Sequence, residues 1–233
     1  MSSAAAFHGS KMAILDFGSQ YTQVIARRVR ESRVYSEIIR FNASPDQIRA
    51  TGAKGIILSG GPSSVFEKNA PQIDPAVFEL GLPILGICYG VQLFAYHLGG
   101  AVEFSDRREY GPGLLRIVGK SGLFEGLPSE LQVWNSHADN ITQLPSGFES
   151  VGVTENSPYA VIQNREKQFY GLQFHPEVAH TPLGKDVLEN FLYRVCDCSP
   201  DWTMGSFIEQ TCRDIRERVG NDQVVVGFSG GVD

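Results

Sequence analysis

The chain has 233 residues, a formal net charge of −6, and 42% hydrophobic against 20% charged residues. That is enough for one substantial α/β core with a small appendage, and the acidic balance argues against diffuse attraction to nucleic acid or to an anionic membrane surface. No run approaches the ~20 consecutive apolar residues that span a bilayer, and the opening MSSAAAFHGSK lacks the pattern of a secretory signal, so residues 1–10 are expected to be a disordered start or an expression remnant.

In chain order, Lys11–Phe17 is an apolar run ending at Gly18-Ser19, and Gln20–Arg30 then places Val24, Ile25 and Val29 at helical spacing. Strand, turn and helix follow, with Arg27, Arg28 and Arg30 read as a solvated helix face. Val34–Phe41 is a second strand. Ser44-Pro45-Asp46-Gln47 marks a helix start, with a capping serine, proline at the first helical position and glutamine at the capping-box position. Gly55–Leu58 is a third strand opening into Ser59-Gly60-Gly61-Pro62, Asp74-Pro75 caps a short helix closed by Gly81, and Leu82–Ile87 is a fourth strand. Gly90–Leu98 is a helix with Val91, Phe94, Ala95 and Leu98 on one face. This alternation predicts an α/β fold: a mostly parallel, open, twisted sheet flanked by helices.

From 101 to 174 the texture changes to short β-like runs, Leu114–Val118, Leu131–Trp134, Ala160–Gln163 and Phe169–Phe174, which predict a smaller, strand-rich, partly antiparallel section. A helix follows over roughly 184–195, with Val187, Leu188, Phe191 and Leu192 apolar. Cys198-Ser199-Pro200-Asp201-Trp202 breaks the pattern and divides the chain into a main domain, 11–198, and a remainder, 199–233. The remainder reads as a linker, an amphipathic helix Met204–Val219, and an apolar strand Val224–Phe228 leading into a Gly-rich loop, SGGVD. Cys88, Cys196, Cys198 and Cys212 show neither a C-x-x-C pair nor zinc-ligand spacing, which favours free thiols in a reducing, cytoplasmic setting and no metal site.

Gly86-Ile87-Cys88-Tyr89-Gly90, between a strand and a helix, has the form of a nucleophile elbow with cysteine in place of serine. Small residues two before and two after the nucleophile let strand and helix approach, and the helix N-terminus favours thiolate. The pentapeptide alone fits a buried cysteine in a Gly-rich turn equally well. Gln173-Phe174-His175-Pro176-Glu177 ends a later strand; residues two apart project from the same side, so Glu177 can orient His175 while the other ring nitrogen faces the sulfur. A lone strand histidine is more often structural, and His97 and His180 are read that way. Leu58-Ser59-Gly60-Gly61-Pro62 can free backbone N–H groups for an oxyanion, although alone it fits an ordinary tight turn better.

ILSGGP, GICYGVQ and FHPE, in this order and at these separations, resemble the class I glutamine amidotransferase domain over about residues 11–195. With LDFGSQYTQVIARRVRE and the terminal SGGVD, the likeness narrows to the amidotransferase domain of the glutamine-hydrolysing GMP synthases. The resemblance implies L-glutamine as substrate, Cys88 as nucleophile, His175 as proton carrier and Glu177 as its orienting acid. Gly61 and Tyr89 would supply the oxyanion N–H groups. Gly60, Gln92, Asn135, Ser136 and His137 would form the glutamine pocket, the last three mainly through backbone and shape. The glutaminase domain would need no cofactor. Ser229, Gly230, Gly231 and Asp233 would begin the pyrophosphate loop of a truncated ATP pyrophosphatase domain that uses ATP and Mg2+ to adenylate XMP before amination to GMP. The resemblance offers no nucleic-acid or membrane partner. Competing readings are the amidotransferase of another synthase, a γ-glutamyl hydrolase, and a docking or regulatory module with little activity when isolated.

Overall fold

A computed structural model describes residues 9–227, apart from the side chains of 105–108. Its strands are β1 (Lys11–Asp16), β2 (Tyr35–Arg40), β3 (Gly55–Leu58), β4 (Ile84–Ile87), β5 (Ala101–Ile117), β6 (Glu130–Gln143), β7 (Glu149–Val153), β8 (Val161–Asn164) and β9 (Phe169–Leu172). Its helices are α1 (Thr22–Glu31), α2 (Pro45–Thr51), α3 (Tyr89–Leu98), α4 (Gly184–Asn190), which runs on as a wider turn through Val195, and α5 (Met204–Val219).

The strands form one nine-stranded sheet in the order β2-β1-β3-β4-β9-β8-β7-β5-β6. Neighbours from β2 to β9 run parallel, and those from β9 to β6 antiparallel. The predicted α/β sheet and its antiparallel section are therefore halves of a single surface. Alternation along β1 divides the core: Met12 and Ile14 join Ile25 and Val29 of α1 and Leu188 of α4 on one face. Ala13 and Leu15 join Ile48 of α2 and Val91 and Phe94 of α3 on the other.

Local chemistry sets the helix ends as predicted. Ser44 caps α2 by accepting from Gln47 N, and Gln47 returns a bond to the Ser44 N–H. Thr203 and Ser206 form the same reciprocal cap on α5. α3 approaches the sheet so closely that a Cβ on Gly90 would lie 2.5 Å from the Leu58 carbonyl oxygen, and one on Gly86 2.6 Å from that of Gly90.

The structure departs from the expectations in three places. Ser10 is buried and accepts from the Ser199 N–H, so it packs with the folded domain; of the expected disordered start, residues 1–8 lie outside the described residues. Arg28 and Arg30 are not simply solvated: Arg28 Nε donates to the Glu177 carbonyl and Arg30 to that of Ser36. Val224–Gly227, the described part of the predicted last strand, is not paired with any strand, and Val224, Val225 and Val226 are 61%, 96% and 74% exposed. An apolar run becomes a strand only where a sheet edge accepts it, and none does here. No helix among the described residues is long and apolar enough to cross a membrane.

Replacing Gly90 by alanine is expected to lower unfolding stability in urea by about 2 kcal/mol or more, because the Leu58 backbone cannot yield. Ser44→Ala, which loses only a cap, should cost about 1 kcal/mol.

Candidate active site

Cys88 stands between the end of β4 and the first turn of α3 with φ 54° and ψ −106°, a conformation that L-residues avoid at a cost of about 1–3 kcal/mol. The ladder holds it there: Cys88 N donates to Leu172 O at 2.7 Å, and the Cys88 carbonyl accepts from Val91 N and Gln92 N. Its sulfur thus faces the loop after β3 and the wall formed by β6, 3.6 Å from the Ser136 carbonyl oxygen.

His175 and Glu177 follow β9, the strand beside β4, in an irregular segment that leads to α4. The His175 N–H donates to Trp134 O, and the Thr181 hydroxyl donates to His175 O while accepting from Trp134 N. Those bonds anchor the segment to β6. The ring is buried, its Nδ1 donates to Glu177 Oε1 at 2.8 Å, and its other partner is Cys88. Burial opposes charge on the imidazole. The hydrogen bonds to Cys88 and Glu177, with their negative charges, outweigh it and raise the His175 pKa from 6.5 to about 11. Glu177 is fully buried, and its Oε2 has no hydrogen-bond partner among the described residues.

A cavity of about 550 Å³ opens over the sulfur, lined by Gly61, Cys88, Tyr89, Gln92, Ser136 and His137 among others. At its rim stand Phe104 and Tyr110, 60% and 65% exposed. Tyr89 begins α3, so its N–H is one of the first-turn donors without an intrahelical acceptor. Gln92 lines the cavity while its Nε2 donates to Asp139 O at 3.1 Å, which leaves the amide oxygen as the group that can turn toward a ligand.

Two residues expected in the glutamine pocket do not line this cavity. Gly60 is packed against His175 and Cys88, where a Cβ would come within 3.2 Å of His175 Cε1 and 3.7 Å of Cys88 Cβ. Asn135 lines a separate cavity of about 220 Å³, because Gly113 on the facing strand leaves room for its amide. A Cβ at Gly113 would sit 2.6 Å from Asn135 Nδ2.

Glu109, which the sequence did not single out, is paired with His137 across the β5–β6 ladder and bonds its Nε2 at 3.1 Å. Burial pushes the Glu109 carboxyl up, but hydrogen bonds from His137 and Thr154 prevail and hold it below the usual carboxylate range. Only the pairing register could have revealed this contact. Tyr21, whose ring meets that of His175 edge-on at 5.1 Å, and Arg28 were also unmarked as site residues. His97 bonds Gln72, and His180 lies against Trp134. Cys196 and Cys198 are buried in the core, where burial first of all raises their thiol pKa values. Ser229, Gly230, Gly231 and Asp233 lie outside the described residues.

Residues 13–195 match the model of the glutamine amidotransferase class-I family. The glutamine-hydrolyzing GMP synthase of Aquifex aeolicus is 53% identical over 220 residues, 94% of this chain and 43% of that protein. The enzyme of the same description from Acetivibrio thermocellus is 54% identical over 220 residues, with the same shares. The chain therefore spans less than half the length of these curated relatives. A solved structure from Thermoplasma acidophilum, described as one subunit of a GMP synthase, matches with a TM-score of 0.70 and 30% identity over 91% of this chain and 99% of that one. A glutamine amidotransferase from Thermotoga maritima shares the fold, with a TM-score of 0.64 at 19% identity over 82% of this chain and 100% of that one.

The raised His175 pKa has a fixed sign: the stability it contributes is fully present below ~6.5 and lost as pH rises through about 11. In an NMR titration the His175 ring should stay protonated from about pH 6 to 9, and Cys88→Ala should move its midpoint down. A midpoint near ~6.5 in the unmodified protein would show that the sulfur and ring are not paired.

Proposed function

Because this chain belongs to the class-I glutamine amidotransferase family, we propose that Cys88, His175 and Glu177 are the triad with which it hydrolyses L-glutamine to glutamate and ammonia. The observation that supports this most directly is the double engagement of His175, bonded to Glu177 on one side and Cys88 on the other, beneath a cavity of suitable size.

The sulfur, as thiolate, attacks the side-chain amide carbon of glutamine. Negative charge develops on the amide oxygen, and the Gly61 and Tyr89 N–H groups are its donors. The His175 imidazolium gives its proton to the departing nitrogen, the C–N bond breaks, and ammonia leaves a γ-glutamyl thioester. Water then attacks the thioester carbon as His175 accepts a water proton; the C–S bond breaks, releasing glutamate and restoring the sulfur. Glu177 fixes the tautomer and direction of the ring throughout. Gln92, Ser136 and His137 shape the part of the cavity that holds the α-amino and carboxylate groups.

The destination of the ammonia is proposed from the relatives, which are GMP synthases. In this reading an ATP pyrophosphatase domain, using ATP and Mg2+, adenylates XMP, and the ammonia converts the adduct to GMP. The segment from 199 onward supports a boundary there. It touches the amidotransferase domain through Trp202 N donating to Arg33 O and Phe207 stacked on Tyr35 at 5.6 Å. α5 buries no residue of its own and leaves Met204, Ile208 and Ile215 exposed.

Glutamate release from L-glutamine should fall about 10³-fold or more in Cys88→Ala and in His175→Ala. Equal release by the unmodified chain and Cys88→Ala would overturn the triad. In the synthase that includes the pyrophosphatase domain, Cys88→Ala should abolish glutamine-dependent GMP formation but leave formation from added ammonium salt; glutamine-dependent formation that survives Cys88→Ala would overturn the triad, and no GMP from either nitrogen source in the unmodified synthase would overturn the assignment to GMP synthesis.

A further inference from the structure

Glu177 is held weakly through its own side chain. One carboxylate oxygen bonds His175 and the other has no partner among the described residues, so the direction of the carboxylate depends on where its backbone is fixed. The known ties of the segment, His175 N to Trp134 O and Thr181 Oγ1 to His175 O, lie at and beyond the histidine. At Glu177 itself the backbone bond comes from a different element: Arg28 Nε donates to the Glu177 carbonyl at 3.0 Å.

Arg28 is itself well placed to act as an anchor. It sits in α1, its Nη1 pairs with Glu31 Oε2 at 2.8 Å, and its side chain is 30% exposed. Tyr21 lies two helical turns earlier on the same face, and its ring meets His175. One turn beyond Arg28, Ser32 Oγ donates to Glu189 Oε1, and the Tyr193 hydroxyl donates to Ser32 O. One face of α1 is thus fastened at both ends to the segment 175–193, with Arg28 between the fastenings. A guanidinium is suited to this, since its planar fork can bond a carbonyl and a carboxylate at once.

We infer that Arg28 is a positioning residue for the triad: its guanidinium fixes the backbone of Glu177, and through it the carboxylate that orients His175. This rests on the glutaminase reading above. Arg28 touches neither the cavity nor the sulfur, so its removal should act on turnover and leave substrate binding alone.

The test compares Arg28→Ala, Arg28→Lys and Glu31→Ala with the unmodified protein, each checked for folding by thermal melting. In Arg28→Ala, kcat for glutamate release should fall about 10- to 100-fold with KM changed less than about threefold, and the His175 titration midpoint should move down. Arg28→Lys, which can still donate to the carbonyl, should recover part of both effects. Glu31→Ala, which removes only the outer ion pair, should leave kcat within about twofold. A kcat within about twofold of the unmodified value in Arg28→Ala, an unmoved His175 midpoint, or an equal loss in Glu31→Ala would overturn the inference. If the unmodified protein shows no Cys88-dependent turnover, the glutaminase reading fails, while the His175 midpoint still decides whether Arg28 positions the pair.

Discussion

The site depends on one close approach, that of α3 to the ends of β3 and β4. Gly86 and Gly90 remove the side chains that would hold strand and helix apart, and Cys88 between them takes a backbone conformation with φ 54°. That conformation is unfavourable in isolation and persists because the flanking strand and helix are both fixed, Cys88 N to Leu172 O and its carbonyl into α3. The strain has a use. It lifts the sulfur out of the sheet, at a helix N-terminus, into a cavity rather than into the core.

Electrostatics then links three strands. A buried imidazolium is costly unless its charge is answered on both sides, and here Glu177 and Cys88 answer it. The same logic recurs in the wall of the cavity, where the ionised Glu109 is satisfied by His137 and Thr154. The two pairs differ in access to the reacting atoms. His175 reaches the sulfur, while His137 is bonded to Glu109 behind the wall and presents the shape of the cavity.

Much of this was legible in the sequence because it follows from short-range rules. The Gly-x-Cys-x-Gly spacing, the serine cap of α2 and the two-residue offset of His175 and Glu177 are local, and each took the expected geometry. What was hidden depends on register and on contacts between distant elements. Glu109 meets His137 only because β5 pairs with β6 in one alignment, and Asn135 lines a separate cavity because Gly113, two residues along the facing strand from its partner Gly111, leaves room for its amide. Arg28 looked like one basic residue in a solvated run; its bond to Glu177 exists only once α1 has packed against the segment before α4. The apolar run at Val224–Val226 pairs with no strand among the described residues, since β-propensity does not itself provide a partner edge.

The order of strands carries a consequence for biosynthesis. β4, which leads into Cys88, is flanked by β3 from just upstream and by β9 from far downstream, Ile84 pairing with Phe169. A nascent chain made as far as Cys88 already possesses the thiol, but neither His175 nor Glu177. Both arrive just after β9, the last of the described strands to be made, once β5 to β8 have been synthesised and the central gap beside β4 can close. The long-range pairing thereby sets an order in time: the Cys88 sulfur acquires its His175 partner only after β9 has been made.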